Sequence, residues 1–227
     1  MKIVISGYYG FDNSGDDALL LSIIDSIKKN DTKAQITVLS KNPQKTKLQY
    51  LVNAVNRYNI FSLVRTISTC DLLISGGGTL IQDATSTKSR LYYLAIIFLA
   101  KKMGLKVMLY ANGMGPIKEK NIKKVNKVLN MVDLITLREN VSLEEIERCD
   151  IKKPRVLVTA DPAFNLESAP RECADKIFAD YSIGKRERLV AVSVRECANM
   201  PEDFAKQMAV ALDEISKMGY LPVFIPM

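Results

Sequence analysis

Apolar, β-branched runs in this chain break repeatedly into clusters of glycine and polar residues and then into helical spacing. Lys2–Ser6 leads into Gly7-Tyr8-Tyr9-Gly10-Phe11-Asp12-Asn13-Ser14-Gly15-Asp16-Asp17, and Asp71–Ile74 leads into Ser75-Gly76-Gly77-Gly78-Thr79. A strand, a flexible turn and a helix in that order form the repeating unit of a parallel α/β sheet, whose binding crevices open at the carboxyl ends of its strands. Function is therefore expected in those loops.

Read as elements, Lys2–Ser6 is a first strand and Asp16–Lys29 a first helix, with Leu19, Leu20, Ile23, Ile24 and Ile27 at helical spacing and Asn30-Asp31 closing it. Further strands are expected at Gln35–Leu39, Val52–Val55, Asp71–Ser75, Lys106–Tyr110, Leu134–Leu137 and Arg155–Val158. Helices are expected at Gln44–Tyr50 behind Pro43, and at Ser62–Thr69, Ser89–Met103, Lys118–Asn130 and Ser142–Arg148. Strands and helices alternating through short connections predict an α/β fold, a doubly wound Rossmann-like parallel sheet. That first domain is expected over residues 1–165. Residues 166–188 read as a linker, with a helix near Cys173–Tyr181 and the charged stretch Gly184-Lys185-Arg186-Glu187-Arg188. A second domain is expected over 189–227: strand Leu189–Val194, helix Pro201–Lys217 with Gly219 as its cap, and strand Leu221–Ile225. Two strands with their helices cannot bury both faces of a sheet, so this part reads as the start of a truncated domain.

Composition narrows the chemistry. With 227 residues, 48% of them hydrophobic and 25% charged, the chain has the make-up of a soluble globular protein with room for a sizeable core. Its net charge of +7 favours acidic partners, but the charge is dispersed and no aromatic-interleaved basic motif occurs, which argues against nucleic acid. Lys118, Lys120, Lys123, Lys124 and Lys127 read mainly as a solvated helix face, with peripheral attraction to a membrane surface as the lesser reading. Cys70, Cys149, Cys173 and Cys197 are far apart with no C-x-x-C pair, as reduced thiols of a cytoplasmic protein would be. No signal peptide is read at the start, and the apolar run Leu91–Ala100 is about half the ~20 residues a membrane span needs. Histidine is absent. That excludes Ser-His-Asp and Cys-His arrangements and the usual imidazole metal sites, so no metal is expected and acid–base work falls to Asp, Glu, Lys, Tyr or Arg.

The loops differ in character. Asn13, Ser14 and Gly15 lead into Asp16 and Asp17 at the start of the first helix, where a cap and acidic side chains are favoured by the free N–H groups and the helix dipole. Two aspartates there would repel a phosphate, and the spacing is neither G-x-G-x-x-G nor a P-loop, so sugar-hydroxyl binding or acid–base work by Asp12, Asp16 or Asp17 is the functional reading. Gly76, Gly77 and Gly78 with Thr79 can bring backbone N–H groups close to a ligand, with the polar segment from Asp83 to Arg90 folding over it; Asp83 alternatively caps a turn. Asn112 and Gly113 lie in a third glycine-rich loop, Tyr110-Ala111-Asn112-Gly113-Met114-Gly115-Pro116. Arg138 either holds a phosphate or carboxylate or pairs with Glu139 at the surface. Arg195, ending the strand of the second domain, suits an anion in the crevice between the domains.

Taken together and in order, the segments Gly7–Leu19, Ser75–Asp83 and Tyr110–Pro116 resemble the polysaccharide pyruvyl transferase family, most closely its bacterial members acting on secondary cell-wall polysaccharide. The resemblance implies an N-terminal Rossmann-like domain of a B-type glycosyltransferase-like architecture plus a second such domain. It also implies phosphoenolpyruvate as co-substrate with no resident cofactor, and a saccharide acceptor carried on a lipid at the inner face of the membrane. Arg195 then looks like the family arginine that binds the donor, Asp16 or Asp17 a base, and the three loops acceptor-side walls. The family also carries an Arg-Leu-His type motif, later in its second domain, whose histidine is the expected acid. This chain has no histidine, so it is expected to be inactive alone. Two other functions fit the same fold: a nucleotide-sugar glycosyltransferase and a non-catalytic saccharide-binding module.

Overall fold

The computed structural model describes residues 1–84, 87–184, 188–194 and 200–225. Its contacts divide the chain into two units, Met1–Leu166 and Glu167–Met227.

The first unit is a seven-stranded sheet in the order β3-β2-β1-β4-β5-β6-β7, with every neighbouring pair parallel. The strands are β1 (Lys2–Tyr9), β2 (Gln35–Ser40), β3 (Asn53–Asn56), β4 (Leu72–Gly76), β5 (Lys106–Asn112), β6 (Leu134–Leu137) and β7 (Arg155–Val158). Between them run α1 (Ser14–Asn30), α2 (Pro43–Tyr50), α3 (Ile60–Ser68), α4 (Thr87–Lys102), α5 (Glu119–Leu129) and α6 (Asn140–Arg148). Asparagine starts the first three helices in the same way: Asn13, Asn42 and Asn59 each accept a backbone N–H from three residues on, satisfying a donor the helix leaves free.

Alternation along the strands sorts the layers. Ile3 and Ile5 of β1, Ile36 and Val38 of β2 and Ile74 of β4 pack with Leu20, Ile23 and Ile24 of α1 and Tyr50 of α2. Val4, Leu39 and Leu73, one residue out of step, pack on the opposite face with side chains of α3, α4, α5 and α6. The expected buried helix is α4: Tyr93, Leu94, Ile96, Ile97 and Ala100 face the core, while Leu91 and Phe98 face solvent. Among the described residues no helix is long and apolar enough to cross a membrane.

Two strands outrun their sequence reading by more than one residue. β1 continues past Ser6 to Tyr9 through a shift of register, because Gly7 is a packing position: a β-carbon there would stand 2.3 Å from the Tyr9 ring. β5 continues to Asn112 through an irregularity at which Ala111 takes φ 46°. A short 3₁₀ helix, Pro162–Asn165, was not read from the sequence, and it docks on α1 through Ser22, whose hydroxyl donates to the Pro162 carbonyl at 2.5 Å.

The second unit holds α7 (Arg171–Asp180), β8 (Arg188–Val192), α8 (Phe204–Lys217) and β9 (Tyr220–Phe224). β8 and β9 form a two-stranded parallel sheet with Arg188 opposite Tyr220. Neither helix buries a residue fully, and Ile177, Tyr181, Val210 and Phe224 are exposed.

Candidate active site

Strand order reverses at β1, whose neighbours β2 and β4 lead to opposite edges of the sheet. Loops that leave the carboxyl ends of β1 and β4 diverge at such a point and open a crevice. Gly77 and Gly78 take φ 87° and 68°, so the loop after β4 doubles back in a conformation that disfavours a side chain. The turn brings Gly78 so near α1 that a β-carbon on it would stand 3.2 Å from a carboxylate oxygen of Asp16. Asp16 is held by its own backbone, whose N–H donates to the Asn13 side chain at 3.0 Å. Below it the buried Tyr9 hydroxyl donates to the Gly76 carbonyl at 2.5 Å.

Gly78 is also the link to the third loop. Its carbonyl accepts the Gly113 N–H at 3.3 Å and the Asn112 side-chain amide at 3.4 Å. The N–H groups of Gly78 and Thr79 donate to no protein group among the described residues. Gly113 must be glycine, since a β-carbon there would fall 2.4 Å from the Thr79 hydroxyl. That hydroxyl accepts from Arg138 at 3.3 Å, which brings in the end of β6. Arg138 donates in addition to Glu139 at 2.8 Å and to Asp161 at 3.0 Å, tying the ends of β6 and β7 together. Glu139 is fixed in turn by the Ser142 hydroxyl at 2.6 Å.

The rim is acidic. Glu139 and Asp161 pair with Arg138, whose charge also acts on Asp16, and Asp17 adds its charge beside Asp16. Burial, and then the charge of Asp17, push the Asp16 carboxyl from 3.8 up to about 6, against a smaller opposing pull from Arg138. Such a carboxyl is ionised at neutral pH yet remains a competent proton acceptor and donor near it. Burial, followed by the charge of Asp16, raises the Tyr9 phenol well above its ordinary value, so it serves as a hydrogen-bond donor only.

A match to the family described as polysaccharide pyruvyl transferase runs over residues 13–227. The chain belongs to the polysaccharide pyruvyl transferase family. It is 24% identical to the amylovoran biosynthesis protein AmsJ of Erwinia amylovora, in an alignment that takes in 94% of this chain and 60% of that protein. Among solved structures it is similar to a UDP-GlcNAc 2-epimerase from Methanocaldococcus jannaschii, with TM-score 0.66, 11% identity, 99% of this chain and 65% of that one. It is similar also to Anabaena Alr3699/HepE, solved in complex with UDP, with TM-score 0.59, 11% identity, 100% of this chain and 69% of that one. At those identities the likeness is one of fold. The chain spans about 60% of the length of the curated relative it matches.

Of the residues singled out in this pyruvyl transferase family member, Asp16, Gly77, Gly78, Thr79, Asn112, Gly113 and Arg138 meet at one rim. Asn13, Ser14 and Gly15 lie exposed at the mouth, with Asn13 acting as a cap. Gly76 ends β4 beneath the rim, where a β-carbon would strike Ile23 at 2.6 Å, so its glycine serves packing.

Two candidates change meaning. Asp83 faces the core instead of a ligand: it pairs with the buried Arg90 and accepts the Lys118 N–H and the Asn121 side chain, each at 2.9 Å. The polar segment expected to fold over a ligand is thus pinned at both ends by an internal ion pair. Arg138 has its charge taken up by Glu139 and Asp161, which makes it a clamp between strands and leaves it poorly suited to hold a phosphate. Arg195 lies outside the described residues, as do Thr85 and Ser86. Tyr9 lies beyond Ser6, where the first strand is expected to end, and its bond to Gly76 has no local sequence signal. Asp161 carries no local signal of its pairing with Arg138, which lies 23 positions earlier, while Glu139 stands beside Arg138 in the sequence and forms the expected pair.

Proposed function

We propose that this chain forms the acceptor side of an enzyme that moves pyruvate from phosphoenolpyruvate onto a saccharide as a ketal, the saccharide being a lipid-linked precursor of an extracellular polysaccharide. The observation that carries the reading is the rim itself: carboxylates outnumber cations there, and one of them, Asp16, titrates near 6. Such a surface suits the hydroxyls of a sugar and repels the triply charged donor. In the reaction the enol CH₂ takes up one proton, C2 forms two bonds to sugar oxygens, and the C2–O bond to phosphate breaks. Of the two hydroxyl protons released, one balances the new methyl group and the other leaves with phosphate. Asp16 is assigned the base that receives a hydroxyl proton, and the free N–H groups of Gly78 and Thr79 the contacts that orient the sugar. Arg195 is assigned to the donor's phosphate or carboxylate on the resemblance alone. The family acid is a histidine and these 227 residues contain none, so by themselves they are expected to form no ketal.

The test is genetic. Asp16→Asn introduced in the chromosomal gene should cut the pyruvate that mild acid releases from the polysaccharide by about 10²-fold or more, with the sugar yield kept. Unchanged pyruvate would remove Asp16 from the mechanism. Loss of a sugar from the polymer on deletion of the gene, with ketal on the remaining sugars intact, would favour a glycosyltransferase instead.

A further inference from the structure

Beside the acidic rim, at the carboxyl ends of β1, β2 and β3, the chain buries a cation that no carboxylate among the described residues answers. Arg57 directly follows β3 and is only 5% exposed. Its N–H bonds the Ser40 carbonyl at 2.9 Å, and one guanidinium nitrogen donates to the Gly7 carbonyl at 2.9 Å. Another donates to the Tyr93 hydroxyl at 3.4 Å, while Nε is buried with no partner among the described residues. Around it stand aromatic rings, with the guanidinium carbon 4.3 Å from the centre of Tyr92, 5.3 Å from Phe11, 5.5 Å from Tyr93 and 5.6 Å from Tyr58. Among the described residues Arg57 forms no ion pair. Two other buried polar atoms of the sheet lack partners among the described residues: the hydroxyls of Ser6, which precedes Gly7 in the chain, and of Ser75, which lies opposite Ser6.

Ring faces offset part of the cost of burying a guanidinium, but a buried charge without a counter-ion remains unfavourable, and its own partnerless Nε–H adds to the deficit. An oxyanion would supply what is missing. The surroundings also select its sign, because Lys41 lies 5.0 Å from the centre of the same Phe11 ring and is not neutralised by any acid among the described residues, whereas Lys45 already pairs with Asp12 at 2.6 Å. Access is available at the surface side, where Tyr58 is 62% exposed and Phe11 rides on a loop with left-handed residues at Gly10 and Asp12.

We propose that Arg57, with Lys41, forms a phosphate-binding subsite between the loops after β1, β2 and β3, reached when Phe11 or Tyr58 swings aside. The ligand class is a phosphate ester, whether soluble or carried on a lipid. The subsite does not depend on the pyruvyl-transfer reading, since it draws on none of the acidic rim.

Inorganic phosphate is titrated into the full chain against chloride at matched ionic strength, while the Arg57 Nε–H resonance and the melting temperature are followed. The Nε–H signal should shift and the melting temperature rise. Lys41→Ala, at an exposed position, should weaken the response about fivefold, and Arg57→Gln should abolish it. Asp16→Asn should leave it in place. Phosphatidylcholine vesicles with and without phosphatidic acid separate the sources: a shift with the anionic vesicles assigns a lipid-borne phosphate, and a shift with free phosphate alone assigns a soluble ester. If Arg57→Gln fails to fold, the Nε–H resonance and Lys41→Ala decide. An unmoved Nε–H resonance, or full affinity in Lys41→Ala, overturns the proposal.

Discussion

Replacing Asp16 by asparagine should stabilise the protein at neutral pH even as it removes the assigned base. The carboxyl titrates at about 6 in the folded chain against 3.8 ordinarily, with burial as the chief cause and Asp17 the next. A raised pKa means that the folded state binds the proton more tightly than the unfolded one, so ionisation of Asp16 works against folding. Well below pH 3.8 both states are protonated and the penalty is absent; it grows between about pH 3.8 and 6 and is complete above that. A shift of two units corresponds to at most about 3 kcal/mol, and because the group is only half-buried, screening by solvent reduces this to about 1–2 kcal/mol. No hydrogen bond to the carboxylate contributes to the shift, so the isosteric amide forfeits none of that kind.

At about 2–4 °C per kcal/mol for a chain of this size, Asp16→Asn should melt roughly 2–8 °C higher than the parent near pH 7.5 and level with it well below pH 3.8. Thermal and urea unfolding followed by far-UV circular dichroism at both pH values measure the difference. A variant less stable than the parent at neutral pH, or a gap that does not close on acidification, would refute the argument. The expected sign is that of a functional group held in an unfavourable setting: the crevice keeps a charge where folding alone would not place one.

Three further outcomes follow from the geometry. Asp83→Asn leaves Arg90 buried without its counter-ion and should cost about 3–5 kcal/mol in urea unfolding, whereas Asp83→Leu with Arg90→Met should cost much less. Gly113→Ala places a β-carbon 2.4 Å from the Thr79 hydroxyl, so it should destabilise by about 1–3 kcal/mol and displace Thr79 from Arg138, read from the urea midpoint and the Arg138 side-chain resonances. Burial lifts the Cys149 thiol to about 11 and leaves it inaccessible, so iodoacetamide near pH 8 should label exposed Cys173 well before Cys149, as peptide mass spectrometry would record.

Much of the sheet was legible because its signals are local. Pro43 announces α2, and β6 and β7 run over the residues their apolar pattern marks, whereas α3 begins at Ile60, ahead of its expected start at Ser62. What escaped depends on partners far along the chain. Gly7 looks like a turn glycine until the Tyr9 ring is seen lying against it, and Asp83 looks like a loop acid until Arg90, Asn121 and the Lys118 N–H converge on it. Burial of a polar side chain is legible only once the groups that satisfy it are placed. The same holds for Arg138, whose neighbour Glu139 was visible but whose second acid, Asp161, comes from the next strand. Arg57 had no local signal at all: it follows a weak strand, and its ring partners come from the first loop and from α4.

These long-range placements divide the carboxyl edge of the first unit into two electrical regions. Toward β6 and β7 the carboxylates of Asp16, Glu139 and Asp161 exceed the charge of Arg138. Toward β2 and β3 the balance reverses: Arg57 and Lys41 form no ion pair among the described residues, while Asp12 pairs with Lys45, which Asp17 also faces. The boundary falls at the strand-order reversal, where Tyr9 is hydrogen-bonded to Gly76 and Gly77-Gly78 bends over α1. A uniform field would bind a charged ligand in either direction, whereas a field that changes sign across one crevice favours a single orientation. A ligand bearing hydroxyls at one end and phosphate at the other would lie with its sugar against Asp16 and its phosphate toward Arg57. A glycosyl phosphate should therefore bind more tightly than the free sugar in the parent chain, and in Arg57→Gln the two should bind alike.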